Sequence, residues 1–395
     1  MKVYFTAAEY NPFHNGHAYQ IRKTREAGAT HFAAVMSPNF VQRGAPAFFD
    51  KFKRAAAAVT GGADIVFELP LPFAVASAER FADGAVQAAL CSGFCDGFSF
   101  GCETDHPEDL FKIAELMNGE DFQDRIRTAR ADGCSYPVAC VRVCGEQYAE
   151  TLSGPNNLLG IEYIRALTKR GFRGDILPIR RVGAGHGDSV VSGQYASGAA
   201  LRELIRTKQD FEPFVSRECC AIYQKEIENG FYAEHYRNEA VSLLRTLPQS
   251  AFERLPDANG GFGSRLFHAV RDCGSYDGIL SAAKTKRYTY ASLSRGVWQA
   301  ILGITAEDAS CEIQYLRPLS YRVDSAPQLF ERNQRDGSVP ILTGALPAEG
   351  FDERCKRAYD LEDRATDLYN SFLCTPRPCG TDHTDRIFYM QGTVK

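Results

Sequence analysis

The sequence predicts an α/β protein: an N-terminal doubly wound parallel-sheet domain, then a mainly helical region and a small mixed C-terminal segment. Three observations predict it. The first third alternates short apolar runs with longer amphipathic ones. Its helical segments open on capping residues and close on glycine. The alternation then gives way to helical periodicity beyond about residue 210. Strands that alternate with helices form parallel sheets covered on both faces.

In order, "KVYFTAA" reads as a strand and "HNGHAYQIRKTREAG" as a helix closed by Gly28. "HFAAVMS" is a second strand, and after a polar loop "DKFKRAAAAVTGG" is a helix with Asp50 as N-cap. "DIVFELP" follows as a strand, "SAERFADGAVQAALCSG" as a helix capped by Ser77, and "DGFSFGCE" as another strand. From 106 to about 170 the signal is mainly helical, including "PNNLLGIEYIRALTKRG", where Pro155 and two asparagines suit a helix start. "DILPIRRVG" is a returning strand, "GAGHGDSVVSG" a Gly-rich mobile loop, and "SGAALRELIRTK" a helix entered from Ser197. Helices continue to about 305. The last 85 residues mix short strands, turns and one clear helix, "DERCKRAYDLEDRATDLYNSFL". The boundaries predicted are 1–208, 209–310 and 311–395.

At 395 residues the chain exceeds one ordinary core. A net charge of −4 excludes a broadly basic nucleic-acid glove, so any such binding needs a local patch. With no signal-peptide pattern and no run approaching 18 apolar residues, a cytoplasmic protein is expected, with no membrane contact. The 13 cysteines are odd in number, scattered and never spaced as CxxC. They read as buried apolar residues or free thiols, and no bound structural metal is expected.

His14 and His17 carry the chemistry. They lie where the first strand hands over to the first helix, a position at which free N–H groups meet anions. Three residues apart on a helix the imidazoles share a face, and Gly16 between them lets a ligand approach the backbone. Zinc would need further ligands, and the metalloprotease pattern a glutamate and a spacing of four. The plain alternative is a pair of histidines that cap or pack a helix.

"HNGH" after a strand looks like the HxGH signature of nucleotidyltransferases related to class I aminoacyl-tRNA synthetases. The longer "EYNPFHNGH", with "MSPNFVQRGAPAFFDKFKRA", "ADIVFELP", "FGCET", "PNNLLGIEYIRAL" and "KTKRYTY", resembles the tRNA(Met) cytidine acetate ligase family. The matches run from residue 3 to about 305, with a weaker "RATDLYN" near 364. The resemblance implies a Rossmann-like nucleotidyltransferase domain, a helical tRNA-binding domain, and ATP-dependent activation of acetate to acetyl-adenylate. Acetyl transfer to N4 of the wobble cytidine of elongator tRNA(Met) would follow.

Residue by residue, the resemblance makes His14 and His17 catalytic. It assigns to ATP the stretch Ala7, Ala8, Glu9, Tyr10, Asn11, Pro12, Phe13, His14, Asn15, Gly16, His17, Ala18, Tyr19 and Gln20. Further ATP contacts are Gly101, Asn157 and the strand-end pair Arg180 and Arg181, of which Arg180 is favoured. "SGAALR" resembles a phosphate-contacting [ST]-x-[IV]-R element through Ser197 and Arg202, but departs from it at Gly198 and Leu201. Ser37, Gln42 and Arg43, polar residues at the second strand's carboxyl end, are expected either to read acetate or the cytidine or simply to solvate a loop. Magnesium is expected with ATP, although no carboxylate cluster marks its seat.

For tRNA, "KTKRYTYASLSR" interleaves Lys284, Lys286, Arg287 and Arg295 with Tyr288 and Tyr290, cations for phosphates and aromatics for base stacking. "RELIRTK" is a second basic stretch. A solvated helix face with two core tyrosines is the bland reading of the first. The stretch 315–350 and the tail after Cys374 depart from the family pattern. Two other functions are compatible with an HxGH site: a small-molecule adenylyltransferase, and a tRNA-binding protein with an inactive nucleotide fold.

Overall fold

A computed structural model describes residues 1–131, 133–182, 191–344, 349–385 and 388–390. Most of the Gly-rich loop expected after Arg181 lies outside them.

Among the described residues one seven-stranded sheet runs Phe388–Met390, Pro318–Arg322, Ile65–Glu68, His31–Met36, Val3–Ala8, Gly97–Cys102, Asp175–Arg180. The last five are parallel throughout, with Ala8 level with Met36 and Cys102 with Arg180. Chain order reverses between Val3–Ala8 and Gly97–Cys102. Their carboxyl ends therefore flank the crevice in which a doubly wound sheet takes its ligand.

Alternation along the strands fills both faces. Val3, Phe5, Ala33, Val35, Phe67, Phe98 and Phe100 pack beneath the helices Ala78–Cys91 and Pro155–Lys169. Phe32, Ala34, Met36 and Val66 face the helix Lys51–Thr60. Asp50 caps that helix as expected, its carboxylate accepting from Phe52 N at 2.8 Å. The first helix, Asn15–Glu26, buries little apolar surface. It is pinned instead by Gln20 Nε2 to Thr6 Oγ1 (2.9 Å) and Thr24 Oγ1 to Ser99 Oγ (3.0 Å).

A second core joins the helices between 236 and 302 to Phe40, Leu71 and Val75 of the sheet domain. Phe40 meets Trp298 at 5.3 Å, Gln299 Nε2 donates to the Val75 carbonyl (2.7 Å), and Ser294 Oγ to the Gly44 carbonyl (2.6 Å). Gly44 has φ +75°, and a Cβ there would stand 2.5 Å from Arg295 N, so only glycine fits. The helical region thus sits over the loops at the sheet's carboxyl end and roofs the crevice.

The C-terminal segment is not a separate body. Pro318–Arg322 pairs antiparallel with Ile65–Glu68, and the helix Glu353–Ser371 puts Leu361, Ala365 and Tyr369 into the helical core. Buried charges fix it. Lys51 Nζ lies 2.5 Å from both Glu68 and Asp382, and Arg317 pairs with the same two carboxylates at 3.2 and 2.5 Å. The boundary expected at 310/311 therefore marks a change of sequence pattern, because the strand and charge partners of this segment, Ile65–Glu68 and Lys51, lie about 250 to 330 residues away in the chain. No described helix is long and apolar enough to cross a membrane.

Candidate active site

At the switch point a cleft of about 690 Å³ opens between the sheet's carboxyl end and the helical roof. Ala7, Ala8, Glu9, Tyr10, Asn11, His14, His17 and Gln20 line it from the first strand and helix, Gly101, Glu103 and Arg181 from the ends of the neighbouring strands, and Asn156 from the start of the helix Pro155–Lys169. Gln42 and Arg43 enter from the loop after the second strand, and Ser197, Arg202 and Arg206 from the helix Gly198–Arg206 and its cap. Tyr236 and Arg237 come from the roof.

The two histidines cap each other's turn. His14 is the N-cap residue, with extended φ/ψ of −149° and 175°, and its Nδ1 accepts from Gly16 N at 3.0 Å. His17 Nδ1 accepts in turn from His14 N at 3.2 Å. This is a capping box built from imidazoles. The capping reading is thus compatible with the phosphate reading: a neutral ring that accepts at Nδ1 carries its proton on Nε2, so each presents an N–H donor.

The rings stack at 3.8 Å, with Tyr10 and Phe13 wedged against His17 at 4.8 and 5.5 Å. Burial, then the charge of Arg181, holds His14 down at about 3. Burial, His14 and Arg181 hold His17 well below its ordinary value. Both are neutral at pH 7. Beside them lies the positive end of the helix.

Arg180 and Arg181 alternate across the strand end. Arg181 turns inward, its side chain lying against Gly101, where a Cβ would stand 3.2 Å from its Cγ. Arg180 is two-thirds exposed at the outer rim and pairs with Asp105. Arg181, not the favoured Arg180, therefore lines the main cleft, while Arg180 borders a small recess beside the two histidines. Arg202 lines the cleft and ties it together, its Nη1 donating to the Asn11 carbonyl at 2.6 Å. Ser197 caps its helix, accepting from Ala200 N at 3.1 Å. The departure at Gly198 has a steric reason, since a Cβ there would stand 2.8 Å from the Asn11 carbonyl oxygen.

Other expectations fare differently. Asn157 is buried behind the wall: its Oδ1 accepts from the amides of Glu103 (2.7 Å) and Thr104 (3.2 Å), and its Nδ2 donates to the Thr151 carbonyl. Its neighbour Asn156 lines the cleft and bonds the Glu103 carboxylate at 2.5 Å. Ser37 is fully buried, away from the cleft, while Gln42 donates to Glu9 and to the Ala76 carbonyl. Within the first turn, Asn15 faces away to the carbonyls of Gln194 and Pro213. Pro12, Phe13 and Ala18 pack beneath the site, and Gly16 and Tyr19 border a small side recess with Arg180.

Sequence reading missed Arg54. Wholly buried, it donates to the carbonyls of Glu9, Ser37, Pro38 and Phe49, locking the ends of the first two strands together. It also missed Glu103, whose carboxylate caps the helix Pro155–Lys169 through Asn156 N (3.2 Å). Neither carries a local signal, because most of Arg54's partners are main-chain carbonyls that folding brings together, and Glu103's partners at 156 lie about 50 residues on. Glu9 and Glu103 are the cleft's carboxylates among the described residues, and each already accepts from a backbone amide.

The basic tyrosine segment splits in two. Lys284, Lys286, Arg287 and Tyr290 are exposed, with Lys284 over the Tyr290 ring at 5.3 Å. Tyr288 instead packs on Phe262 at 5.1 Å and donates to the Gly260 carbonyl. Arg295 is withdrawn against the Gly44 turn. The patch lies at the start of the helix Tyr290–Leu302, which contacts the loop carrying Arg43.

The family model described as HIGH Nucleotidyl Transferase matches residues 1–383. The tRNA(Met) cytidine acetate ligase of Limosilactobacillus reuteri is 34% identical over 94% of this chain and 96% of its own. That of Acetivibrio thermocellus is 30% identical over 99% and 100%. A crystal structure of apo Thermotoga maritima TmcAL superposes with a TM-score of 0.91 at 28% identity, and one bound with alpha-thio ATP with 0.89 at 27%. Each covers 99% of this chain and 100% of its own. The histidine pair, its switch-point cleft and these full-length likenesses agree: the chain belongs to the tRNA(Met) cytidine acetate ligase family of HIGH nucleotidyltransferases and is a ligase.

Proposed function

We propose that the protein joins acetate to ATP as acetyl-adenylate and passes the acetyl group to N4 of the wobble cytidine of elongator tRNA(Met), in the cytoplasm. The observation that carries the chemistry is the pair of neutral imidazoles with Nδ1 occupied and Nε2–H free at a helix N-terminus. An ATP analogue in the Thermotoga maritima TmcAL structure supports the nucleotide, and the relatives' names support the acceptor.

Acetate is already ionised and needs no activated nucleophile. Its oxygen bonds the α-phosphorus while the bond to pyrophosphate breaks, so catalysis is alignment and charge stabilisation. His14 and His17 donate to phosphate oxygens as charge builds on the leaving group, and Arg181 and Arg202 supply fixed positive charge. Magnesium travels with the triphosphate, with Glu9 and Glu103 the carboxylates nearest to hand. The cytidine amine then attacks the acetyl carbon, AMP leaves, and the amine gives up a proton. Arg43, Tyr236 and Arg237 stand at the mouth where that base enters. Residues 1–208 hold ATP and 209–310 present tRNA, with Lys284, Lys286 and Arg287 on phosphates and Tyr290 as a stacking face.

Pyrophosphate exchange without tRNA tests this. Exchange should depend on acetate. Exchange that depends on a mononucleotide instead would favour a small-molecule adenylyltransferase, and tRNA binding with no exchange an inactive binder.

A further inference from the structure

Beside the cleft mouth, Glu234, His235 and Cys374 bring three different metal-ligating atoms within 4.8 Å of one another. We propose that they form a zinc site of the His-Cys-carboxylate type that clips the C-terminal segment to the cleft wall.

The backbone sets up the juxtaposition. Cys374 N donates to the Tyr232 carbonyl at 3.0 Å and Thr375 N to the Gly230 carbonyl at 2.8 Å, with Ala233 and Leu373 bridged antiparallel between them. Cys374 is thereby held opposite residues 232–235 whatever occupies the site. One carboxylate oxygen is the shared vertex: Glu234 Oε2 lies 3.7 Å from Cys374 Sγ and 3.8 Å from His235 Nε2. The other oxygen, Oε1, faces Arg206 Nε at 3.8 Å. That ion pair places a positive charge behind the carboxylate and holds its orientation.

The spacing fits. Zinc bonds of roughly 2.0 to 2.3 Å at a tetrahedral angle put ligand atoms about 3.3 to 3.6 Å apart, so adjustments of a few tenths of an ångström to about an ångström close the site. His235 is 81% exposed on its side chain and can move freely to complete it. A fourth position remains open to water. On binding, the Cys374 thiol releases its proton to solvent and the thiolate bonds the metal. The sequence hides the site because its thiol lies 140 residues from its carboxylate. The consequence is a crosslink immediately behind Ala233 and Tyr236, both of which line the cleft.

Cobalt(II) is the probe, titrated into the full chain under reducing conditions. One equivalent should give a sulfur-to-cobalt charge-transfer band in the near ultraviolet, displaced by zinc. Cys374→Ser should abolish the band and His235→Ala should weaken cobalt affinity at least about tenfold. Cys379→Ser, an exposed cysteine five residues on, should leave both unchanged and controls for the remaining thiols. Absence of the band in the unsubstituted protein, its survival in Cys374→Ser, or unchanged affinity in His235→Ala overturns the assignment.

Discussion

The proposed chemistry rests on two imidazoles that stay neutral, and pH tests that on stability as well as on rate. His14 is 5% exposed, and burial with Arg181 nearby holds it at about 3 instead of 6.5. Its folded value is depressed, so the unfolded chain takes up a proton as pH falls below about 6.5 while the folded chain does not. Folding stability is then lost progressively between those two values and is fully present above them. With an unfolded value near 6.5, His14 alone costs about 0.2 kcal/mol at pH 7 and about 1.4 kcal/mol at pH 5.5. The perturbation is His14→Asn, which cannot titrate and whose side-chain oxygen can still accept from Gly16 N. Urea unfolding at the two pH values supplies the double difference. Unsubstituted protein should lose about 1 kcal/mol more than His14→Asn on acidification, whatever the absolute cost of the substitution. Parallel losses, or an imidazole resonance for His14 that titrates near 6.5, would refute the neutral capping box.

Adjacent arginines give a sharper functional contrast. Arg181→Ala should slow acetate-dependent pyrophosphate exchange by about two to three orders of magnitude, as removal of a transition-state donor does, whereas Arg180→Ala should change it only a few-fold. Equal effects would mean that strand alternation has been read onto the wrong face. Asn157→Ala frees two part-buried amides; chemical denaturation should show a loss of about 1 kcal/mol, with a raised KM for ATP as the 103–104 turn loosens. On the roof, Lys286→Ala with Arg287→Ala should weaken tRNA binding and flatten its salt dependence while exchange stays intact. Tyr290→Ala should weaken tRNA binding without a stability cost, and Tyr288→Ala should do the reverse; filter binding and thermal melting separate them.

What was legible in the sequence was local. Asp50 as a cap, the strand-to-helix handover at His14 and the alternating strands each follow from a few neighbouring residues. Which of two nearby side chains is presented to a ligand and which is packed away did not. Arg181 rather than Arg180, Asn156 rather than Asn157 and Tyr290 rather than Tyr288 depend on what packs beside each, on Gly101, the 103–104 amides and Phe262 respectively. Contacts across long separations were equally hidden. Arg54 looks like any helical arginine until the four carbonyls that surround it are placed. The strand at 318–322 departs from the family pattern, yet it completes the sheet, because Arg317 finds Glu68 and Asp382 only after folding. Tyr236 and Arg237 reach the cleft only because Phe40 and Trp298 dock the roof.

The central claim is that this cleft carries acetate from ATP chemistry to a tRNA base. Nucleoside analysis of elongator tRNA(Met) incubated with the protein, ATP and labelled acetate tests it most directly. Label should appear in N4-acetylcytidine at the wobble position and be lost in His17→Ala although tRNA still binds. Unlabelled tRNA alongside active acetate-dependent exchange would contradict the assigned acceptor, and label that persists in His17→Ala would contradict the assigned chemistry.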